Sequence, residues 1–239
     1  MKLLELRYIS RGLDLANREL ESFSYSVAHD LRAPLRSITG FSQILLDEHS
    51  TQLNEEARDF LQRINLAGQR MDRLTTDLLD LARLSRQPLQ FRSVNLSLII
   101  HDVMAELVKE APTRQVDVTI QAGISVLGDE GLLRIVAENL LGNAWKFTSK
   151  RVNARIEFGS ELVNGTNEYF VRDNGAGFDM AHANNLFQPF QRMHSNTEFP
   201  GTGIGLAIVK RVIQRHRGTI RAQSAIDQGT TIRFSLLQN

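Results

Sequence analysis

Leu6, Ile9, Leu13, Ala16, Leu20, Phe23 and Val27 follow one another at spacings that alternate three and four without a skip. That period lays an apolar seam along one side of a helix, in the heptad pattern of a coiled coil. A lone helix with this stripe has nothing to bury it against, so a partner helix is required, and a second copy of the chain is the expected source. The rest of the composition is that of a soluble globular protein, with 239 residues, 42% apolar and 23% charged. A net charge of +1 gives no electrostatic case for nucleic acid or for an anionic membrane. No apolar run approaches the roughly 20 residues of a membrane span, and no signal-peptide pattern opens the chain, so a cytoplasmic location is expected. The absence of cysteine excludes disulfides, cysteine zinc sites and thiol catalysis.

The seam runs into Ser26-Val27-Ala28-His29-Asp30-Leu31-Arg32-Ala33-Pro34-Leu35. With Leu6, Leu13, Leu20 and Val27 at heptad position a, His29 falls at c and faces solvent, beside the carboxylate of Asp30. Pro34 lacks an N–H and crowds the preceding turn, which predicts a kink just after His29. The polar stretch Asp47 to Gln52 reads as a turn. Asn54 is placed to cap a second helix, with Glu55 and Glu56 in its first turn. That helix carries its own stripe, Phe60, Ile64, Ala67, Met71, Leu74, Leu78 and Leu81, and Gln87-Pro88 ends it. Two antiparallel helices with matched stripes make a hairpin, and two hairpins make a dimeric four-helix bundle. From Phe91 onward, short strand-like runs (116–120, 155–158, 169–172, 219–223, 231–236) alternate with helices near 97–110, 130–147 and 204–216, which predicts an α/β sandwich. The fold class is therefore α+β. The expected organisation is a coiled-coil helix over 1–22, a hairpin domain over 23–88 and a second domain over 91–239.

Three segments of the second domain carry chemistry. In the helix Glu138-Asn139-Leu140-Leu141-Gly142-Asn143-Ala144-Trp145-Lys146-Phe147, Asn139 and Asn143 share a face and Lys146 follows one turn on. A carboxamide oxygen is a hard neutral ligand suited to Mg²⁺, and a lysine offsets phosphate charge; two ordinary polar residues on a helix is the alternative. Asp173-Asn174-Gly175-Ala176-Gly177-Phe178 follows a strand, where a carboxylate can accept from an exocyclic amine and glycines let backbone approach a ring; a plain turn is the alternative. Gly201-Thr202-Gly203-Ile204-Gly205-Leu206-Ala207 opens a helix whose free N–H groups suit phosphate, or else forms a hinge. It matches neither the P-loop nor the dinucleotide fingerprint. Asp227-Gln228-Gly229-Thr230-Thr231 reads best as a hairpin turn. The loop-rich stretch 176–203, with phenylalanines at 178, 187, 190 and 199, reads as a mobile lid.

In order and spacing these segments resemble the catalytic core of a two-component sensor histidine kinase, of the kind that follows PAS or phytochrome sensor modules. The resemblance covers the chain from about Leu20 to Leu237 and rests on the combination of motifs. It implies a histidine-phosphotransfer and dimerisation bundle followed by a Bergerat-type ATP-binding domain. His29 matches the phosphoacceptor and Asp30 the acid beside it. Asn143 matches the Mg²⁺-binding Asn, Asn139 the preceding Asn of its box, and Lys146 the phosphate-facing base. Asp173 matches the adenine-reading Asp, with Gly175 and Gly177 beside it. Phe187 and Phe190 match the lid's aromatic box. Gly201, Gly203 and Gly205, with Leu206, match the second glycine box, and Gly229-Thr230 the last adenine-side turn. The implied substrates and partners are ATP with Mg²⁺, a second copy of the chain, a response-regulator receiver domain, and an upstream sensor domain outside this chain.

Two departures from the family pattern stand out. Asp30 replaces the usual Glu. Ala33 replaces the Thr or Asn credited with holding water for dephosphorylation of the receiver, and a methyl group cannot orient water, so a kinase-biased protein is expected. Two rival readings are an ATPase of the gyrase and chaperone type and a non-catalytic dimeric scaffold. The first needs a Glu four residues before the metal-binding Asn, where this chain has Asn139. Glu138 is adjacent but turned about 100° away. The second sits poorly with intact His29, Asn143, Asp173 and lid glycines.

Overall fold

Small and polar side chains, together with Leu35 and Leu79, form the inner seam of the helical hairpin. In the computed structural model, which describes residues 30–84, 88–195 and 198–237, helix α1 covers 30–48 and α2 covers Glu55–Leu84. The N-terminal coiled-coil seam and His29 lie outside the described residues, and the kink predicted after His29 falls at their edge; the helix itself continues past Pro34. A short 3₁₀ turn, Ser50–Gln52, joins the two helices. Asn54 caps α2, accepting from the Ala57 N–H at 2.8 Å, with Glu55 and Glu56 in the first turn.

Leu35 and Ser42 of α1 are buried against Asn65, Gly68, Thr75 and Leu79 of α2. The first four positions of the stripe read from the sequence therefore do not face α1, while Leu74 is half-buried. Phe60, Ile64, Ala67 and Met71 are exposed on the single chain, as are Leu31, Ile38, Phe41 and Leu45 of α1. Asn65, only 7% exposed, is satisfied inside the seam: its amide donates to Gln43 Oε1 at 2.6 Å and its oxygen accepts from Gln69 at 2.7 Å.

The chain divides into two compact units between Arg86 and Gln87. In the second, β1 (Arg92–Asn95) pairs antiparallel with β3 (Ser125–Gly128). Between them lie α3 (Leu96–Glu110) and β2 (Asp117–Ile120). After α4 (Glu130–Phe147) come β4 (Arg155–Val163), β5 (Thr166–Asp173), α5 (Gly205–Arg215), β6 (Ile220–Ala225) and β7 (Gly229–Ser235). The main sheet has the order β2-β4-β5-β7-β6, parallel only at β2–β4. Helices α3, α4 and α5 pack beside one another and supply the buried layer: Ile100 and Val103, Leu133, Val136 and Leu141, Val209, Val212 and Ile213. Against them stand Ile156, Phe158, Val171 and Phe234 of the sheet. The outer sheet face is charged and paired, with Arg172 on Glu157 at 2.8 Å, Arg233 on Glu161 at 2.8 Å, and Arg221 on Glu168. Among the described residues no helix is long and apolar enough to cross a membrane.

Candidate functional site

Helix α4 buries one face in the sheet and presents the other to the loops that follow β5 and precede α5. Asp129 caps it, accepting from the Leu132 N–H at 3.2 Å. Asn139 donates to the Ile135 carbonyl at 2.8 Å, and its oxygen lies where a side chain at Gly205 would have to go. One turn on, Asn143 Oδ1 accepts from Lys146 Nζ at 3.2 Å. Lys146 in turn lies 3.2 Å from the position a side chain would take at Gly201. The Asn helix and the second glycine loop are thus in contact. Helix α5 begins with no side chain capping its first turn, so its leading N–H groups and positive dipole end stay available to an anion. Gly203 has φ +79 against the backbone of Phe190 and Gln191, a conformation and closeness that a Cβ would not allow.

Asp173 ends β5. Its Oδ1 accepts from the Gly175 N–H at 2.8 Å, and the Thr230 N–H also donates to the carboxylate. Burial nevertheless outweighs these bonds and pushes the Asp173 carboxyl up to about 6. Gly175 abuts the Phe147 carbonyl, which accepts from the Ala176 N–H at 3.1 Å. Gly177 lies against the Ala225 carbonyl, and Gly229, at φ +88, against the Asp173 carbonyl. The segment 227–231, read as a plain turn, is therefore also the second wall of the Asp173 site. Burial, reinforced by the nearby Arg192 charge, brings the Lys146 ammonium down to about 8.

Asn139, Asn143, Lys146, Asp173, Gly175, Gly177, Gly201, Gly203, Gly205 and Thr230 are accordingly brought to one end of the α4 layer. A groove of about 720 Å³ opens beside them, lined by Gly177, Phe178, Arg192, Met193 and His194. Of the two lid aromatics singled out in the sequence, Phe190 is exposed at φ +66 and Phe187 is half-buried. The lid ring that packs inward is Phe199, 2% exposed, against Phe147 at 5.1 Å and His194 at 5.1 Å. Leu206 lies in the first turn of α5 and is half-buried. Asp30 is exposed on α1. Glu138 has Arg134 and Glu106 as its charged neighbours, with burial raising its carboxyl, so it turns toward α3 and away from the Asn143 face. Among the described residues no group of three or more His, Cys, Asp or Glu could hold a metal ion.

Sequence reasoning missed several supporting residues. Arg114 donates to the Trp145 carbonyl at 2.6 Å and to Thr148 Oγ1 at 2.8 Å, closing the C-terminal end of α4. Arg192 donates to the Phe199 carbonyl at 2.7 Å within the lid. Buried His216 accepts from the Asp129 N–H at 3.0 Å through Nε2 and faces the Val212 carbonyl at 2.9 Å through Nδ1. That pattern fixes the neutral Nδ1–H tautomer and ties the end of α5 to the start of α4.

Residues 19–87 match the His Kinase A (phospho-acceptor) domain, and residues 128–239 match the histidine kinase-, DNA gyrase B- and HSP90-like ATPase. The chain belongs to the histidine kinases and has the make-up of their catalytic core. It is 30% identical over 232 residues to the phytochrome-like protein Cph1 of Synechocystis sp., covering 97% of this chain and 31% of that protein. It is 32% identical over 225 residues to the methanogenesis regulatory histidine kinase FilI of Methanothrix harundinacea, covering 94% of this chain and 25% of that protein. It thus spans about a third or less of these relatives. Among solved structures, the full-length ShkA crystal structure superposes with TM-score 0.63 at 24% identity, over 90% of this chain and 45% of that one. The mycobacterial sensor histidine kinase MprB superposes with TM-score 0.52 at 26% identity, over 62% of this chain and 97% of that one.

Proposed function

We propose that this kinase core transfers the γ-phosphoryl group of ATP to His29 and then passes it to an aspartate of a response-regulator receiver domain. The observation that carries the reading is the meeting of Asn143, Lys146, the uncapped start of α5 and the half-buried Asp173 at one end of α4, in a chain whose first part matches a phospho-acceptor domain. The ATP-binding unit is taken as 91–239, the phosphotransfer hairpin as 23–88 and the signalling helix as 1–22. Asp173, held by the Gly175 and Thr230 N–H groups, accepts from the exocyclic amine of adenine. Lys146 and the leading N–H groups of α5 face the phosphates, where charge builds as the γ-phosphoryl leaves. Asn143 offers Mg²⁺ one neutral oxygen. Among the described residues no carboxylate cluster would cage such an ion, which would then keep most of its water, as Mg²⁺ prefers. Neutral His29 supplies the lone pair that attacks phosphorus as ADP departs, and Asp30 takes the proton released from the ring. ATP as the donor fits a cytoplasmic location, and the exposed apolar face of the hairpin supports a homodimer.

Incubation with γ-labelled ATP tests the proposal. Acid-labile, alkali-stable label should appear on the protein and vanish in His29→Ala while nucleotide still binds. Label retained in that variant, or free phosphate as the main product, would reject the assignment. The second outcome is disfavoured by Asn139, which occupies the position where such an ATPase has its general base, while the adjacent Glu138 faces α3.

A further inference from the structure

Arg151 lies outside every motif, yet it spans the two walls of the Asp173 site. Its Nη2 donates to the Gly175 carbonyl at 3.0 Å and to the Asp227 carbonyl at 2.6 Å, and lies 3.2 Å from Asp227 Oδ1. A guanidinium nitrogen of this kind has two protons, so the two carbonyls can take one each. The carboxylate adds little, because the Asp227 side chain is 79% exposed. The carbonyls belong to the two segments that hold Asp173. Gly175 gives its N–H to the carboxylate, and Asp227 opens the turn that brings in the Thr230 N–H. The same segments are tied once more by the Asp227 N–H, which donates to the Ala176 carbonyl at 2.7 Å. Arg151 is itself anchored to the end of α4, its N–H donating to the Thr148 carbonyl at 3.0 Å. The helix that presents Asn143 and Lys146 thus also fixes the loop around Asp173.

We infer that Arg151 is a positioning residue for base selectivity: by holding the Gly175 loop to the 227–230 turn it keeps the Asp173 carboxylate in one orientation. The inference rests on the reading that Asp173 meets the exocyclic amine of adenine. At the equivalent position a guanine presents a carbonyl oxygen, which would face a carboxylate oxygen with no proton between them. Rejection of that base is strong only if the carboxylate cannot turn aside. A carboxylate freed from one of its two walls can turn, and discrimination falls.

The measurement is competition of ATP and of GTP against a fluorescent ADP analogue on the whole chain, read as the ratio of the two Kd values. That ratio does not depend on the fraction of protein that is folded, so a loss of stability alone leaves it unmoved. Arg151→Ala should lower the preference for ATP about tenfold, the effect of losing one charge-assisted bond pattern. Arg151→Lys should recover part of it, since a point cation reaches one carbonyl but does not bridge both. Asp227→Asn should stay within about twofold, because the backbone carbonyl remains and Asn tolerates the φ of +60 found there. Asp173→Asn should abolish the preference. If Asp173→Asn abolishes it while both Arg151 variants keep it, Arg151 does no positioning and the inference is overturned. If Asp173→Asn keeps it, the adenine reading itself is wrong and the role of Arg151 falls with it.

Discussion

The Asp173 carboxyl and the Lys146 ammonium are both displaced by loss of water, which disfavours the charged form of each. Their titrations converge on neutrality from opposite sides, at about 6 and about 8. In the proposed reading, nucleotide binding uses ionised Asp173 as an acceptor and protonated Lys146 as a cation. Affinity for ADP or ATP should therefore fall as pH drops through about 6 and fall again as pH rises through about 8. Fluorescent-ADP binding from acid to mild alkali should trace this window, and Lys146→Arg should remove the alkaline limb, since arginine stays charged. A flat profile would contradict the burial argument. These two residues were legible in the sequence because each sits in a short local pattern: an Asn helix, and a strand followed by glycines. Arg114, Arg151 and His216 were not, because their partners lie far along the chain, at Trp145, Asp227 and Asp129 respectively. No local spacing encodes a contact of that range.

At the scale of elements, the hairpin was legible as two helices with a capped turn but not in how its faces are used. Its inner seam contains Ser42, Asn65, Gly68 and Thr75, residues that a search for apolar period passes over. The single chain buries the other face, and the proposed dimer is what would bury the apolar rows. In the second unit β1 went unread because it buries a single residue, Val94, and shows no alternation, and β3 went unread as well. The β4–β5 hairpin was underread although Asn164-Gly165, both at positive φ, is a strong two-residue turn signal. Gly68 gives the sharpest test of the hairpin. A Cβ there would run into Thr39 Cγ2, and Thr39 is pinned by its hydroxyl bond to the Leu35 carbonyl at 2.9 Å. Gly68→Ala gains about 1 kcal/mol of helix propensity but incurs an overpacking cost of about 1–3 kcal/mol. It should be neutral to destabilising in urea. Thr39→Ser removes the offending methyl, so Gly68→Ala with Thr39→Ser should be more stable than Thr39→Ser alone. If Gly68→Ala is as harmful in that background as in the parent, the close crossing is not what keeps Gly68.

At the scale of the whole molecule, the outward stripes decide the assembly. Phe41 is 68% exposed on α1, and Leu162 is 72% exposed on β4, so exposure alone does not separate them. Their surroundings do. Leu162 stands one residue before the end of a strand, next to a tight turn and opposite Asn167, the ordinary condition of a lone surface leucine. Phe41 belongs to a row with Leu31, Ile38 and Leu45 at helical spacing, beside a second row, Phe60, Ile64 and Met71, on α2. Two adjacent apolar rows on a hairpin make a contiguous patch of the kind that monomers rarely leave in water, and a second hairpin is its natural cover. Phe41→Asp places an uncompensated charge in that cover, at a cost of several kcal/mol if the carboxylate stays buried. Sedimentation at micromolar concentration should show a dimer for the parent chain and for Leu162→Asp, and a monomer for Phe41→Asp. The residues proposed to bind ATP all belong to the other unit, so Phe41→Asp should still bind nucleotide with parental affinity while its autophosphorylation falls. A parent chain that sediments as a folded monomer, or a Phe41→Asp variant that remains a dimer, would show that the stripes are covered in some other way.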